Sequence, residues 1–126
     1  LTSAQPSNIE GIGRPRVEPS FIPSVIDRMI RVPDAAAFAT LRVLEQLINR
    51  KCGGSTGTNV YAALQIAAEM NARGERGSIV SMICDSGARY LDTYYNDTWL
   101  AQKGFDIAPY RKRLEEFLST GRLGPT

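Results

Sequence analysis

An α/β fold is predicted by three features of the sequence. The run 78–84 (Ser-Ile-Val-Ser-Met-Ile-Cys) is nearly all apolar, as expected of a parallel strand covered on both faces. Stretches before and after it carry apolar residues at three- and four-residue spacing, the mark of helices packing one face on a sheet. The signals follow one another as strand, helix, strand-like turn, helix, strand, helix. With 126 residues, of which 43% are apolar and 22% charged, the chain suits one modest globular domain. A chain of this size buries roughly two-thirds of its unfolded surface.

Each element has its own justification. Residues 1–28 contain Pro6, Gly11, Gly13, Pro15, Pro19 and Pro23, and read as an extended, turning lead-in. Within it, Glu10-Gly11-Ile12-Gly13 is either a plain turn or a place where backbone approaches a ligand closely. Residues 29–32, bounded by Pro33, read as a short strand. Asp34 is a suitable N-cap for a helix over 35–49, whose stripe is Phe38, Leu41, Leu44 and Ile48, widened by Val43 and Leu47. A second helix is predicted over 59–73, with a buried stripe of Ala62, Ala63, Ala67, Ala68 and Ala72 that suits a deep position, and with Gly74 and Gly77 closing it. The strand at 78–84 ends at Asp85-Ser86-Gly87, the carboxyl edge where open α/β sheets collect ligands. After an aromatic stretch from Tyr90 to Phe105, a last helix is predicted over 109–118. It buries Tyr110, Leu114 and Phe117, turns Arg111, Lys112, Arg113, Glu115 and Glu116 to solvent, and leaves 121–126 as a frayed end. The chain thus divides into a lead-in (1–28), an α/β portion (29–105) and a C-terminal helix with its tail (106–126).

Composition excludes several kinds of function. Fifteen Lys and Arg against thirteen Asp and Glu leave a charge of +2, too balanced for a surface that tracks phosphates. No run of about 18 apolar residues is present to span a bilayer. Two cysteines, Cys52 and Cys84, make neither a metal quartet nor a disulfide framework and fit a reducing cytoplasm. The absence of histidine removes Ser-His-Asp and Cys-His triads and most zinc sites. The opening Leu-Thr-Ser-Ala-Gln-Pro-Ser has no basic or apolar leader region and reads as an internal start.

Chemistry concentrates at Gly53-Gly54-Ser55-Thr56-Gly57-Thr58, at a helix start where free amides and the helix dipole favour anions. It is not a P-loop, since no Lys follows the last Gly, nor a dinucleotide fingerprint. It presents either a serine hydroxyl on a glycine-lined turn or a helix cap with packing glycines. Four motifs follow in order: Glu10-Gly11-Ile12-Gly13, Phe21-Ile22-Pro23, Cys52-Gly53-Gly54-Ser55-Thr56-Gly57 and Asp85-Ser86-Gly87-Ala88-Arg89-Tyr90. Together they resemble the C-terminal part of the pyridoxal-phosphate enzymes of the cysteine synthase and cystathionine β-synthase family, over nearly all of residues 8–105. The stretch from Tyr95-Asn96-Asp97 to Gly104-Phe105 is similar to the cystathionine β-synthase branch. Residues 9–21, with Arg14 and Arg16, resemble bacterial cysteine desulfhydrases of the same group.

The resemblance implies a part of the large domain of a fold-type II enzyme, tryptophan synthase β-like, with parallel strands and covering helices. It implies pyridoxal 5′-phosphate as cofactor and Ser55 as the hydroxyl bonded to the pyridine nitrogen. A neutral hydroxyl there makes a milder electron sink than a carboxylate, which favours expelling a β-substituent. Gly11 matches the glycine beside the reactive face, Asp85 and Ser86 the loop bordering the pyridine edge, and Gly53, Gly54 and Gly57 the backbone lining the ring. The family's Schiff-base lysine and phosphate-binding loop have no counterpart, since Lys51, Lys103 and Lys112 all lie in other contexts. The expectation is therefore a fragment, inactive alone, of an enzyme performing β-elimination or β-replacement on cysteine- or serine-type amino acids. L-cysteine desulfhydrase leads, with cysteine synthase or cystathionine β-synthase as the alternative. Its partners are the amino-acid substrate, the missing N-terminal part and a second copy in a homodimer, with no nucleic acid and no membrane. A self-standing α/β module using the Gly54–Thr58 turn for a phosphate or a partner is the reading from another class.

Overall fold

The computed structural model describes residues 6–12 and 15–125. Gly13 and Arg14, named above in the lead-in motif, lie outside the described residues. Four α-helices carry the fold: α1 (Asp34–Ile48), α2 (Gly54–Ala72), α3 (Asp97–Gln102) and α4 (Ala108–Thr120), with 3-10 turns at Pro23–Val25 and Gly87–Tyr90.

The first of these, α1, is the central element. Its alanine-rich first half is buried on nearly every side, with Ala36, Ala37, Phe38, Ala39 and Leu41 all at most 1% exposed. One face meets α2 and another meets α4. On the α2 side Gly57 makes close approach possible: a Cβ there would stand 2.4 Å from the Ala37 carbonyl oxygen and 3.0 Å from Leu41. Below α1, Phe38 anchors an aromatic group with Tyr94, Trp99 and Phe105, the ring centroids lying 4.7, 6.1 and 5.1 Å from its own. A second core layer joins Ala36, Ala39 and Val43 of α1 to Tyr61 of α2 and Leu114 of α4. α1 ends at Asn49, which adopts the left-handed conformation (φ 54°). Gly121 ends α4 the same way at φ 71°.

Several expectations are corrected. Among the described residues there is no β-strand; the only ladder contact is an isolated antiparallel bridge between Cys52 and Ser86. Residues 29–32 and 78–84 are irregular, so the predicted parallel strands with covering helices are not formed among the described residues. The reason is physical: a strand exists through its neighbours' hydrogen bonds, and 78–84 has none beside it. Its side chains stand exposed, Val80 at 94% and Met82 at 69%. For the same reason the alanine stripe of α2 is only half-buried, Ala72 being exposed. α2 begins at Gly54, five residues ahead of the predicted 59, because Gly54 to Thr58 form its first turn.

Asp34 is the first residue of α1 and does not cap it. Its carboxylate accepts the Ser7 hydroxyl (2.6 Å) and the Asn8 amide (2.7 Å), tying the lead-in to the helix start. Arg113 is not part of a solvated face. Its guanidinium donates to the Tyr61 hydroxyl and to the Gly124 carbonyl. With Asn71 Nδ2 donating to the Gly121 carbonyl (3.0 Å), this docks the tail through Gly124 instead of leaving it frayed.

Candidate functional site

The start of α2 meets the loop 85–90 and the turn 8–11 at one place. Two backbone bonds knit the first pair of segments: the Gly53 amide donates to the Asp85 carbonyl and the Gly87 amide to the Lys51 carbonyl, each at 3.0 Å. The Tyr95 hydroxyl clamps Cys52 from the side, donating to its carbonyl (2.7 Å) and accepting its amide (3.0 Å). Burial pushes the Tyr95 phenol up to about 12, so it stays a donor. Burial also raises the Cys52 thiol, which leaves it a packing group and no nucleophile.

The three hydroxyls at the α2 start have different fates. Thr56 is fully buried and accepts the Cys84 amide at 3.0 Å, anchoring the end of the irregular run 78–84. Thr58 bonds back to the Gly54 carbonyl at 3.4 Å. Ser55 is half-buried, and its hydroxyl makes no hydrogen bond among the described residues. Because Ser55 is only half-buried, its hydroxyl is open to an acceptor from outside the described residues.

The glycines beside it are required by protein packing. A Cβ on Gly53 would strike the Asp85 carboxylate (Oδ1 at 1.7 Å), and one on Gly54 would strike Ile9 and Tyr94, each at 2.8 Å. These directions are filled by protein atoms, which accounts for both glycines without a ring. Gly11 differs: it is exposed, has φ 86°, and a Cβ there would meet nothing within 4 Å. Its missing side chain answers to the left-handed backbone and leaves open space.

Asp85 is half-buried, and its Oδ2 accepts the Tyr90 hydroxyl at 2.8 Å. The Ser86 hydroxyl accepts the Ala88 amide (3.2 Å) and caps the Gly87–Tyr90 turn. The site thus brings together Gly54, Ser55, Asp85 and Ser86, and Gly11 joins through its neighbour Glu10. Glu10 Oε2 lies 3.4 Å from the Tyr90 hydroxyl and 3.6 Å from Arg89 Nη2. Sequence reasoning missed Glu10, Tyr90 and Tyr94. Tyr90 and Tyr94 stack at 4.6 Å and 13°, and the Tyr94 hydroxyl donates to the Asn8 carbonyl (2.9 Å) and accepts the Glu10 amide (3.1 Å). The signal available was a pair of tyrosines four apart just after an acidic loop, which reads equally as core. Burial first, and then the neighbouring Asp85, push the Tyr90 phenol up to about 12. Among the described residues no cluster of His, Cys, Asp or Glu could hold a metal ion.

None of the lysines lies in an apolar cavity. Lys51 pairs with Glu45, Lys103 stands 5.9 Å over the Trp99 ring, and Lys112 is exposed.

No family model matches the chain. Whole-chain comparison finds clear relatives. An L-cysteine desulfhydrase of Mycobacterium tuberculosis is 51% identical over 88% of this chain. A cystathionine beta-synthase of the rabbit Oryctolagus cuniculus is 35% identical over 77% of it. A putative pyridoxal-phosphate dependent protein of Caenorhabditis elegans is 32% identical over 92%. The chain spans 30%, 17% and 31% of their respective lengths, less than a third of each. With matches of this strength over most of its length, the chain belongs to the pyridoxal-phosphate-dependent cysteine synthase and cystathionine β-synthase family.

Proposed function

We propose that this chain forms one wall of the cofactor site of an enzyme that releases sulfide, pyruvate and ammonia from L-cysteine, an L-cysteine desulfhydrase. The observation that carries the reading is the Ser55 hydroxyl, the one hydroxyl at the α2 start without a hydrogen bond among the described residues. The 51% identity with a desulfhydrase favours elimination over the replacement performed by a cysteine synthase or cystathionine β-synthase. Pyridoxal 5′-phosphate, when bound, supplies an electron sink for loss of the β-substituent.

The residues of this chain act around that group by binding and shaping. Ser55 donates to the pyridine nitrogen and, being neutral, does not impose a positive charge on the ring. Gly11 leaves free the space in which a side chain would crowd an amino-acid substrate. Asp85 and Ser86 fix the loop that borders Ser55. A phosphate at the α2 start is disfavoured, because the Asp85 carboxylate already stands beside Gly53 at that positive end. This weighs against a self-standing phosphate-binding module.

The lysine that carries the cofactor, and the phosphate-binding loop, belong in this reading to polypeptide outside the chain. The same polypeptide supplies neighbours for 78–84, which then becomes a strand of a parallel sheet in a fold-type II large domain. The complete enzyme is a cytoplasmic homodimer in this reading. Both cysteines are free, and no helix among the described residues is long and apolar enough to cross a membrane.

The test compares the chain with the complete enzyme. The complete enzyme is expected to show a visible absorption band reducible by borohydride and to release sulfide from L-cysteine. The 126-residue chain alone, incubated with pyridoxal 5′-phosphate, is expected to show neither. A coloured, borohydride-sensitive chain, or a complete enzyme that binds no cofactor, would overturn the proposal. Formation of thioether from added thiol at a rate above sulfide release would move the assignment to a synthase.

A further inference from the structure

The carboxylate of Asp85 takes the place of a side chain that Gly53 lacks. Gly53 is the residue that caps α2, and a Cβ built on it would lie 1.7 Å from Asp85 Oδ1 and 2.5 Å from Asp85 Cγ. From that position a capping oxygen ordinarily reaches the amides of the second and third helical residues, here Ser55 and Thr56. No hydrogen bond of that kind joins Asp85 to either residue among the described residues. Its Oδ2 instead accepts the Tyr90 hydroxyl at 2.8 Å.

Tyr90 is itself held rigidly. It is 6% exposed, and its ring stacks on Tyr94, which is fixed in turn by the Asn8 carbonyl and the Glu10 amide. Two other charged groups face it. Glu10 Oε2 is a longer second acceptor at 3.4 Å, and Arg89 Nη2 holds that same oxygen at 3.6 Å. The result is a carboxylate parked at the positive end of α2 that is bonded to Tyr90 and makes no hydrogen bond to the neighbouring serine among the described residues. Released from the phenol, it would have two favourable partners: the Ser55 hydroxyl, and the amides of Gly54 and Ser55, since the Thr56 amide already donates to the Gly53 carbonyl at 3.1 Å.

We propose that Tyr90 is a positioning residue for Ser55: its hydroxyl restrains the Asp85 carboxylate so that the serine hydroxyl stays free to donate to the cofactor ring. This rests on the functional reading above. A phenol that stays protonated throughout the neutral range is suited to the task. Ser55 would otherwise be paired inside the protein, and the ring nitrogen would face an anion in place of a neutral donor.

The experiment is a double-mutant cycle in the complete enzyme, read by the dissociation constant for pyridoxal 5′-phosphate and by the absorption spectrum of the bound cofactor. Tyr90→Phe keeps the ring stack and removes only the hydroxyl. It is expected to weaken cofactor binding about tenfold, the worth of one hydrogen bond, and to shift the cofactor band. In an Asp85→Ala background, where nothing is left to restrain, Tyr90→Phe should change binding by less than about twofold. The same near-silence is expected in a Ser55→Ala background. A merely structural tyrosine would cost the same in all three. Unchanged binding by Tyr90→Phe, or an equal loss in the Asp85→Ala background, would overturn the proposal. If Tyr90→Phe does not fold, Asp85→Glu decides: its longer side chain carries the carboxylate past the phenol toward Ser55, so cofactor binding should weaken about tenfold in the parent and by less than about twofold in a Ser55→Ala background, and an equal loss in both overturns the proposal. A parent enzyme that binds no pyridoxal 5′-phosphate would sink the functional reading, whereas a binding parent with a silent Tyr90→Phe sinks this inference alone.

Discussion

At the residue scale the behaviour of the site is governed by phenols. Tyr90 and Tyr95 both have their acidity suppressed to about 12, chiefly by burial. The ordinary phenol value is 10, so the folded state holds these protons more tightly than the unfolded state. Their contribution to stability is therefore complete below about pH 10 and is lost as pH rises toward about 12. For Tyr90 alone the loss is on the order of 2–3 kcal/mol. Urea unfolding between pH 9 and 12 should show this decline, and Tyr90→Phe should flatten part of it; a variant with the parent's full slope would refute the assignment. Legibility at this scale is uneven. Ser55 stands out in the sequence through its glycine-rich turn and the family resemblance, and the structure adds that its hydroxyl has no hydrogen bond among the described residues. Tyr90 does not stand out, because its partner Asp85 lies in a loop whose path no local pattern dictates. Asp34 misled for a related reason: its capping preference is local, and the bonds it makes to Ser7 and Asn8 are tertiary.

At the scale of elements, the close approach of α1 and α2 depends on Gly57. Replacing it with alanine puts a methyl 2.4 Å from the Ala37 carbonyl oxygen, a backbone atom with nowhere to go. Gly57→Ala should therefore destabilise by about 1–3 kcal/mol or more, despite alanine's better helix propensity. Chemical denaturation measures this directly, and a neutral or stabilising Gly57→Ala would mean that the two helices are not packed as described. Helices were largely legible because the 3.6-residue period is carried by each segment itself. Phe38, Leu41 and Leu44 located α1, and Leu114 located the buried face of α4. The start of α2 was not legible, since Gly54 and Gly57 are poor helix formers and tertiary contact with Tyr94 and Ala37 overrides that.

At the scale of the whole molecule, the run 78–84 is the least satisfied part of the fold. Four of its apolar side chains, Ile79, Val80, Met82 and Ile83, are exposed, and among the described residues only its Cys84 amide is anchored, on Thr56. Amides 79–83 should exchange with solvent within seconds to minutes in the isolated chain and become protected in the complete enzyme. The isolated chain should also self-associate with rising concentration in size exclusion, since such edges recruit one another. Strong protection of 79–83 in a concentration-independent monomer would contradict both the structure and the reading. The parallel sheet was suggested by composition and not formed here, because composition reports which residues tolerate burial and is silent on what buries them. The acid that fills the vacancy at Gly53 comes from another loop, so the serine-bearing turn is a composite of two stretches of sequence. A designer wishing to graft it onto a different scaffold would have to transplant both stretches with their spacing intact, for either one alone is half a joint.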